Sequence, residues 1–186
     1  MRKLPSIVLD ANILVQAPLR DTLLRLAESQ AFFHVRWSNG IIAEMTRTLE
    51  AKFGVGLGRI AHLERQLRKH FPEAWVEDFD SLIPPLGNDR KDRHVLAAAI
   101  KAHATTIVTY NLRHFLLEHT EPWDVTAVGP STFLKGLYAS NPELVIAILY
   151  EQASDIRRTF KEQLTVLNKV VPAFVEFICR DTAVCL

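Results

Sequence analysis

The sequence predicts an α/β protein: a central parallel sheet of four or five strands covered by helices on both faces, with more helices appended at the C-terminus. Three observations carry this prediction. Short runs of aliphatic and β-branched residues (7–9, 34–37, 105–109, 124–128) alternate with stretches of helical periodicity. The first run, Ile7-Val8-Leu9, is apolar at every position, as a strand buried on both faces must be. Beyond Ser131 only helical patterns remain.

The elements follow in order. Ile7-Val8-Leu9 is a strand that ends by delivering Asp10. Leu19, Leu23, Leu24, Leu26 and Ala27 share helical spacing, which predicts a helix over 19–29. A weak strand at 34–37 leads to Ser38-Asn39, both able to cap a helix that runs through Ile41, Ile42, Met45 and Leu49. Gly54, Gly56 and Gly58 break it, and helical patterns resume over 59–70 and near 73–82. Pro84-Pro85-Leu86-Gly87-Asn88 is a loop before the small-residue helix Val95-Leu96-Ala97-Ala98-Ala99-Ile100, whose alanines suit close packing on a sheet. The third strand is Thr105–Thr109 and the fourth Asp124–Val128, closed by Gly129-Pro130. Asn141-Pro142-Glu143 starts a helix, since proline fits the first helical position. Apolar faces continue through Leu164, Leu167, Val171, Phe174 and Ile178.

Length and charge limit the functional classes. The 186 residues suffice for one domain with an appendage and a core that needs no staples. A net charge of +1 removes any generic basic coat for nucleic acid, so basic surface must be local. It is local: residues 31–70 carry seven Lys+Arg against three Asp+Glu, whereas 71–92 carry two against six. Two cysteines, Cys179 and Cys185, make no disulfide framework or CxxC motif, which points to a reducing, cytoplasmic setting. The apolar run behind the basic N-terminus is too short for a signal-peptide core, and no uncharged run reaches membrane-spanning length.

The chemistry lies in a set of acids. Asp10 ends the first strand, Glu44 lies early on the helix after the second, Asp92 opens the alanine-rich helix, and Asn111 follows the third strand. In an open parallel sheet these positions converge outside the carboxyl ends of the strands, where ligands collect. Oxygen donors without cysteine suit Mg²⁺ or Mn²⁺. Such an ion offsets carboxylate repulsion, lowers the pKa of bound water and stabilises charge on a phosphodiester oxygen. Asp89, in the preceding loop, is a further candidate ligand. Each residue also has a plain structural reading: strand terminator for Asp10, helix surface for Glu44, helix cap for Asp92, loop or cap for Asp89, turn for Asn111. The histidine pairs 62/70 and 114/119 form no HExxH motif, and His94 suits a surface or packing role. Basic residues near the acids (Arg47, Lys91, Arg93, Arg113) are candidates for nucleic-acid phosphate contacts.

Four segments, Ile-Val-Leu-Asp-Ala-Asn (7–12), Ile-Ile-Ala-Glu (41–44), Asp-Arg-Lys-Asp-Arg-His-Val-Leu-Ala-Ala-Ala (89–99) and Ile-Val-Thr-Tyr-Asn-Leu-Arg-His-Phe (107–115), together resemble the PIN domain, the nuclease family that includes the VapC toxins. The resemblance covers about residues 5–130. It implies a PIN-like three-layer α/β/α nuclease domain over 1–140 and a C-terminal helical extension over 141–186. It also implies a metal-dependent endoribonuclease that leaves a 5′-phosphate and a 3′-hydroxyl. Its acids map to Asp10, Glu44 and Asp92, which would hold Mg²⁺ or Mn²⁺ with Asp89 as an additional candidate. Its fourth position is Asn111, which would position water or substrate. Asn12 and Thr109 would support the ligands. A toxin role implies a cognate antitoxin, and the C-terminal helices are a candidate surface for docking it or for homodimerisation.

Rival readings lack residues. A phosphatase of the haloacid dehalogenase type needs a second Asp where Asn12 stands, a response-regulator receiver needs an adjacent acidic pair within residues 1–20, and a Rossmann site needs a Gly-rich loop. Asn111 in place of an acid leaves one alternative of another class: a PIN-like RNA- or protein-binding regulatory module with little or no catalysis.

Overall fold

The computed structural model describes residues 4–182. Arg2, Lys3 and Cys185 lie outside the described residues. Five strands form one parallel sheet: β1 (Ser6–Leu9), β2 (His34–Ser38), β3 (Trp75–Val76), β4 (Ala104–Val108) and β5 (Thr126–Val128), in the order β3-β2-β1-β4-β5. The helices are α1 (Ala11–Leu14), α2 (Ala17–Glu28), α3 (Asn39–Phe53), α4 (Leu57–His70), α5 (Arg93–Lys101), α6 (Leu117–Thr120), α7 (Pro130–Ser140), α8 (Pro142–Asp155), α9 (Phe160–Asn168) and α10 (Pro172–Thr182). The expected α/β class, parallel sheet and C-terminal helices are all present.

Ile7, Val8 and Leu9 are each 3% exposed or less. Successive strand side chains point to opposite faces, so both faces of β1 are covered. Helix α5 packs across β1, β2 and β4 with α3 beside it, while α2 packs on β2 and carries α8 and α9. Ala97, Ala98 and Ala99 are fully buried, which is how α5 sits close to the sheet. The hydrophobic core runs without a break from β1 into Val145, Ile148, Leu149, Leu164 and Phe174 of the last helices. No helix of the described residues is long and apolar enough to cross a membrane.

Local chemistry explains most boundaries. Ser38 caps α3, its hydroxyl accepting from the Ile41 N–H at 3.2 Å. Gly54 ends that helix in the left-handed conformation (φ 63°), which glycine adopts without strain. Asn141 accepts from the Leu144 N–H at 3.1 Å, so α8 starts at the predicted Asn-Pro-Glu.

The structure corrects three expectations. Residues 73–82 are not a helix: 3₁₀ turns at Pro72–Ala74 and Asp80–Leu82 flank β3, a strand at the edge of the sheet. A two-residue strand has no readable period. It exists because Trp75 and Val76 pair with Trp37 and Ser38, with the two indoles edge to face at 6.0 Å. β5 begins at Thr126, because Asp124 takes a left-handed conformation (φ 55°) that ends the preceding turn. The continuous helical pattern after 160 is two helices, parted before Pro172.

Candidate metal centre

The strand order reverses at β1. The chain winds from β1 to β2 to β3 on one side, then places β4 and β5 on the other. Such a reversal is where open α/β sheets collect ligands, outside the carboxyl ends of the strands, here those of β1 and β4. Asp10 follows β1 directly, and Thr109, Tyr110 and Asn111 follow β4. The Asp10 N–H donates to Val108 O at 3.1 Å, so the two strand ends are held side by side.

Asp10 is 2% exposed and caps α1. Its Oδ1 accepts from the Ala11 N–H at 2.6 Å. Its Oδ2 accepts from Thr109 Oγ1 at 2.6 Å and from Asn12 Nδ2 at 2.7 Å. Asn12 Nδ2 also reaches Thr109 Oγ1 at 3.0 Å, and Asn12 Oδ1 accepts from the Tyr110 N–H at 3.1 Å. Thr109 Oγ1 accepts in addition from the Asn111 N–H at 2.9 Å. The hydroxyl thus uses its one donor on Asp10 and both lone pairs on neighbours. Asn12 and Thr109 therefore fix the orientation of the Asp10 carboxylate.

The electrostatics oppose those bonds. Burial pushes the Asp10 carboxyl from 3.8 up to about 6. The Thr109 hydrogen bond works against that rise, Asp92 adds to it, the Ala11 N–H opposes it, and Glu44 adds again. Asp10 thus feels Asp92 and Glu44 as nearby like charges.

Asp92 is 6% exposed at the start of α5. Its backbone oxygen accepts from Val95 and Leu96, but its side chain makes no cap bond. Instead Oδ2 meets His114 Nδ1 at 2.5 Å. Asp89 is exposed, and its Oδ1 accepts from the Lys91 N–H at 3.0 Å. Ligand atoms of Asp89, Asp92 and His114 all lie within 4.8 Å of one another. Glu44 lies on α3 with Oε2 3.7 Å from His94 Nε2 of α5. The nearby His94 is the main reason its carboxyl is held below the usual range; burial opposes it, and the charges of His94 and Arg47 lower it further. Gly40 allows this approach, since a Cβ there would sit 3.3 Å from His94 Nδ1. Asn111 is half-buried beside Thr109.

The basic candidates divide. Arg93 is half-buried and its Nε donates to Asn88 O at 3.2 Å, which ties it to its own loop. Arg47, Lys91 and Arg113 are exposed. Arg113 Nε donates to His114 Nε2 at 3.2 Å.

Sequence reasoning passed over His114 as a site residue. It returns to Asp92 because residues Leu112–His114 form a 3₁₀ turn, and because the Asp89 N–H donates to His114 O at 3.4 Å. Its position three residues after Asn111, at the eclipsing spacing of such a turn, is the only local signal.

A comparison with protein-family models matches residues 6–113 to the PIN domain. A curated relative from Mycobacterium tuberculosis (strain ATCC 25618 / H37Rv), named putative ribonuclease VapC50, is 36% identical over 104 residues. That match covers 54% of this chain and 62% of the relative, so under two thirds of the relative's length is spanned.

Proposed function

From a chain that belongs to the PIN-domain family, we propose a divalent-metal-dependent endoribonuclease that hydrolyses RNA phosphodiester bonds. One observation carries the reading. Asp10 stands at the strand-order reversal within reach of the charges of Asp92 and Glu44, and burial together with those charges raises its carboxyl to about 6. A buried carboxylate held by three donors, its acidity still weakened by burial, is suited to a cation.

Asp10, Glu44 and Asp92, with Asp89 at the rim, would hold Mg²⁺ or Mn²⁺. The donor set fits a hard divalent ion, with carboxylate oxygens and no thiolate among the acids. When bound, such an ion supplies a more acidic water and charge compensation on the phosphodiester. The chain's own residues do the rest. Thr109 and Asn12 hold Asp10 by Oδ2, and Oδ1, which accepts only from the Ala11 N–H, keeps a lone pair for an ion. Asn111 offers an amide that donates and accepts, able to orient water or a phosphate oxygen without adding charge. Exposed Arg47, Lys91 and Arg113 draw the RNA backbone to the acidic centre.

The relative's name supports a place in a toxin–antitoxin pair, with a cognate antitoxin shielding the acids and the C-terminal helices as its docking surface or as a dimer contact. Asn111, an amide at the fourth position, favours one other reading: an RNA- or protein-binding module with little catalysis.

RNase assays on the purified chain with Mg²⁺ or Mn²⁺ decide between them. The expected result is cleavage abolished by EDTA and by Asp10→Ala. Activity indifferent to both removes the mechanism, and acid-dependent Mn²⁺ binding without cleavage favours the module. Growth arrest on expression of the chain alone, relieved by the neighbouring gene, is expected of a toxin.

A further inference from the structure

We propose that His114 is a nitrogen ligand of the metal centre, acting with Asp89 and Asp92, and that it tunes the site toward Mn²⁺ and other borderline transition ions over Mg²⁺. The inference rests on Asp92 being a metal ligand, as argued above, and adds a donor that an all-carboxylate site lacks.

Geometry comes first. The ligand atoms of Asp89, Asp92 and His114 lie within 4.8 Å of one another. Two ligands on one ion, each at roughly 2.0–2.2 Å, are separated by about 3 Å when adjacent and about 4.2 Å when opposite. The three donors are therefore less than about one ångström from a shared coordination sphere. The Asp92 Oδ2 to His114 Nδ1 contact, now 2.5 Å, would open slightly to admit the ion.

The supporting structure comes second. Asp92 is nearly inaccessible and makes no cap bond, so its carboxylate is not committed to helix α5. The His114 backbone is tied to the Asp89 N–H, so the acidic loop and the histidine turn are already joined. His114 is also gripped at its far nitrogen by Arg113 Nε at 3.2 Å. A neutral imidazole carries one proton. With Nδ1 on the ion that proton sits on Nε2, which then cannot accept from Arg113. Metal loading would thus release the exposed Arg113 guanidinium beside the ion.

Donor chemistry sets the selectivity. Mg²⁺ prefers oxygen and keeps its waters, whereas imidazole nitrogen suits first-row transition ions. A carboxylate site that gains one imidazole should bind Mn²⁺ or Co²⁺ well ahead of Mg²⁺.

The test is pulsed EPR of Mn²⁺ bound to the full chain, with affinities from titration calorimetry. The expected result is ¹⁴N modulation from a directly bound imidazole in the wild type, retained in His94→Asn and lost in His114→Asn. The latter should bind Mn²⁺ at least about tenfold more weakly, with Mg²⁺ affinity changed far less. His114→Asp guards against misfolding: it should keep Mn²⁺ binding, lose the nitrogen signal and gain Mg²⁺ affinity. Mn²⁺ bound without ¹⁴N modulation, or modulation that survives His114→Asn, overturns the proposal and leaves the metal-nuclease reading intact. Mn²⁺ binding absent from the wild type, or unchanged in Asp92→Asn, overturns both.

Discussion

Removing the charge of Asp10 should stabilise the metal-free protein while destroying its function. The carboxyl rises from 3.8 to about 6, with burial as the largest cause. At about 1.4 kcal/mol per pKa unit, holding it ionised at neutral pH costs about 3 kcal/mol. The sign follows from linkage. A folded-state pKa above the unfolded value contributes stability that is complete below pH 3.8 and lost as pH rises through about 6. Asp10→Asn removes that cost above pH 6. It keeps the Ala11 N–H bond, but its new amide faces two donors, the Thr109 hydroxyl and the Asn12 amide. Those two conflicts together cost about 1–2 kcal/mol, leaving a net gain of about 1–2 kcal/mol. For a chain of this length the melting temperature should rise by about 2–8 °C. Thermal melts in EDTA should show the gain at pH 7.5 and little of it at pH 4. Excess Mn²⁺ should raise the melting point of the wild type, by about 2.7 kcal/mol in stability at a hundredfold excess over Kd, and not that of the variant. A variant destabilised equally at both pH values would refute the idea that ionised Asp10 is held against its preference.

Three more outcomes are expected. Asp92→Asn should lower Mn²⁺-dependent RNA cleavage at least about a hundredfold with the fold intact by circular dichroism, since it removes the carboxylate proposed as a ligand and held against His114. Glu44→Gln should lower Mn²⁺-dependent cleavage at least about tenfold with the fold intact by circular dichroism, since it removes the carboxylate 3.7 Å from His94 Nε2. Leu149→Ala, at a fully buried α8 position in the same core as the sheet, should cost about 2–5 kcal/mol and shift a single unfolding transition measured in urea.

The sequence by itself determined the α/β class, because burial on both faces of a central strand leaves an unbroken apolar run such as Ile7-Val8-Leu9, and because helix starts at Ser38 and Asn141 are local hydrogen-bond chemistry. It also placed the acids at strand and helix ends, since position relative to an element is written in one dimension. Only the tertiary structure decided what those acids touch. Strand β3 exists through pairing with β2, which no two-residue segment can announce. Whether Asp92 caps its helix or faces a partner depended on where a turn twenty-two residues later would bring His114. The rise of the Asp10 carboxyl to about 6 came from burial and from neighbours distant in sequence, as fields act through space and not along the chain.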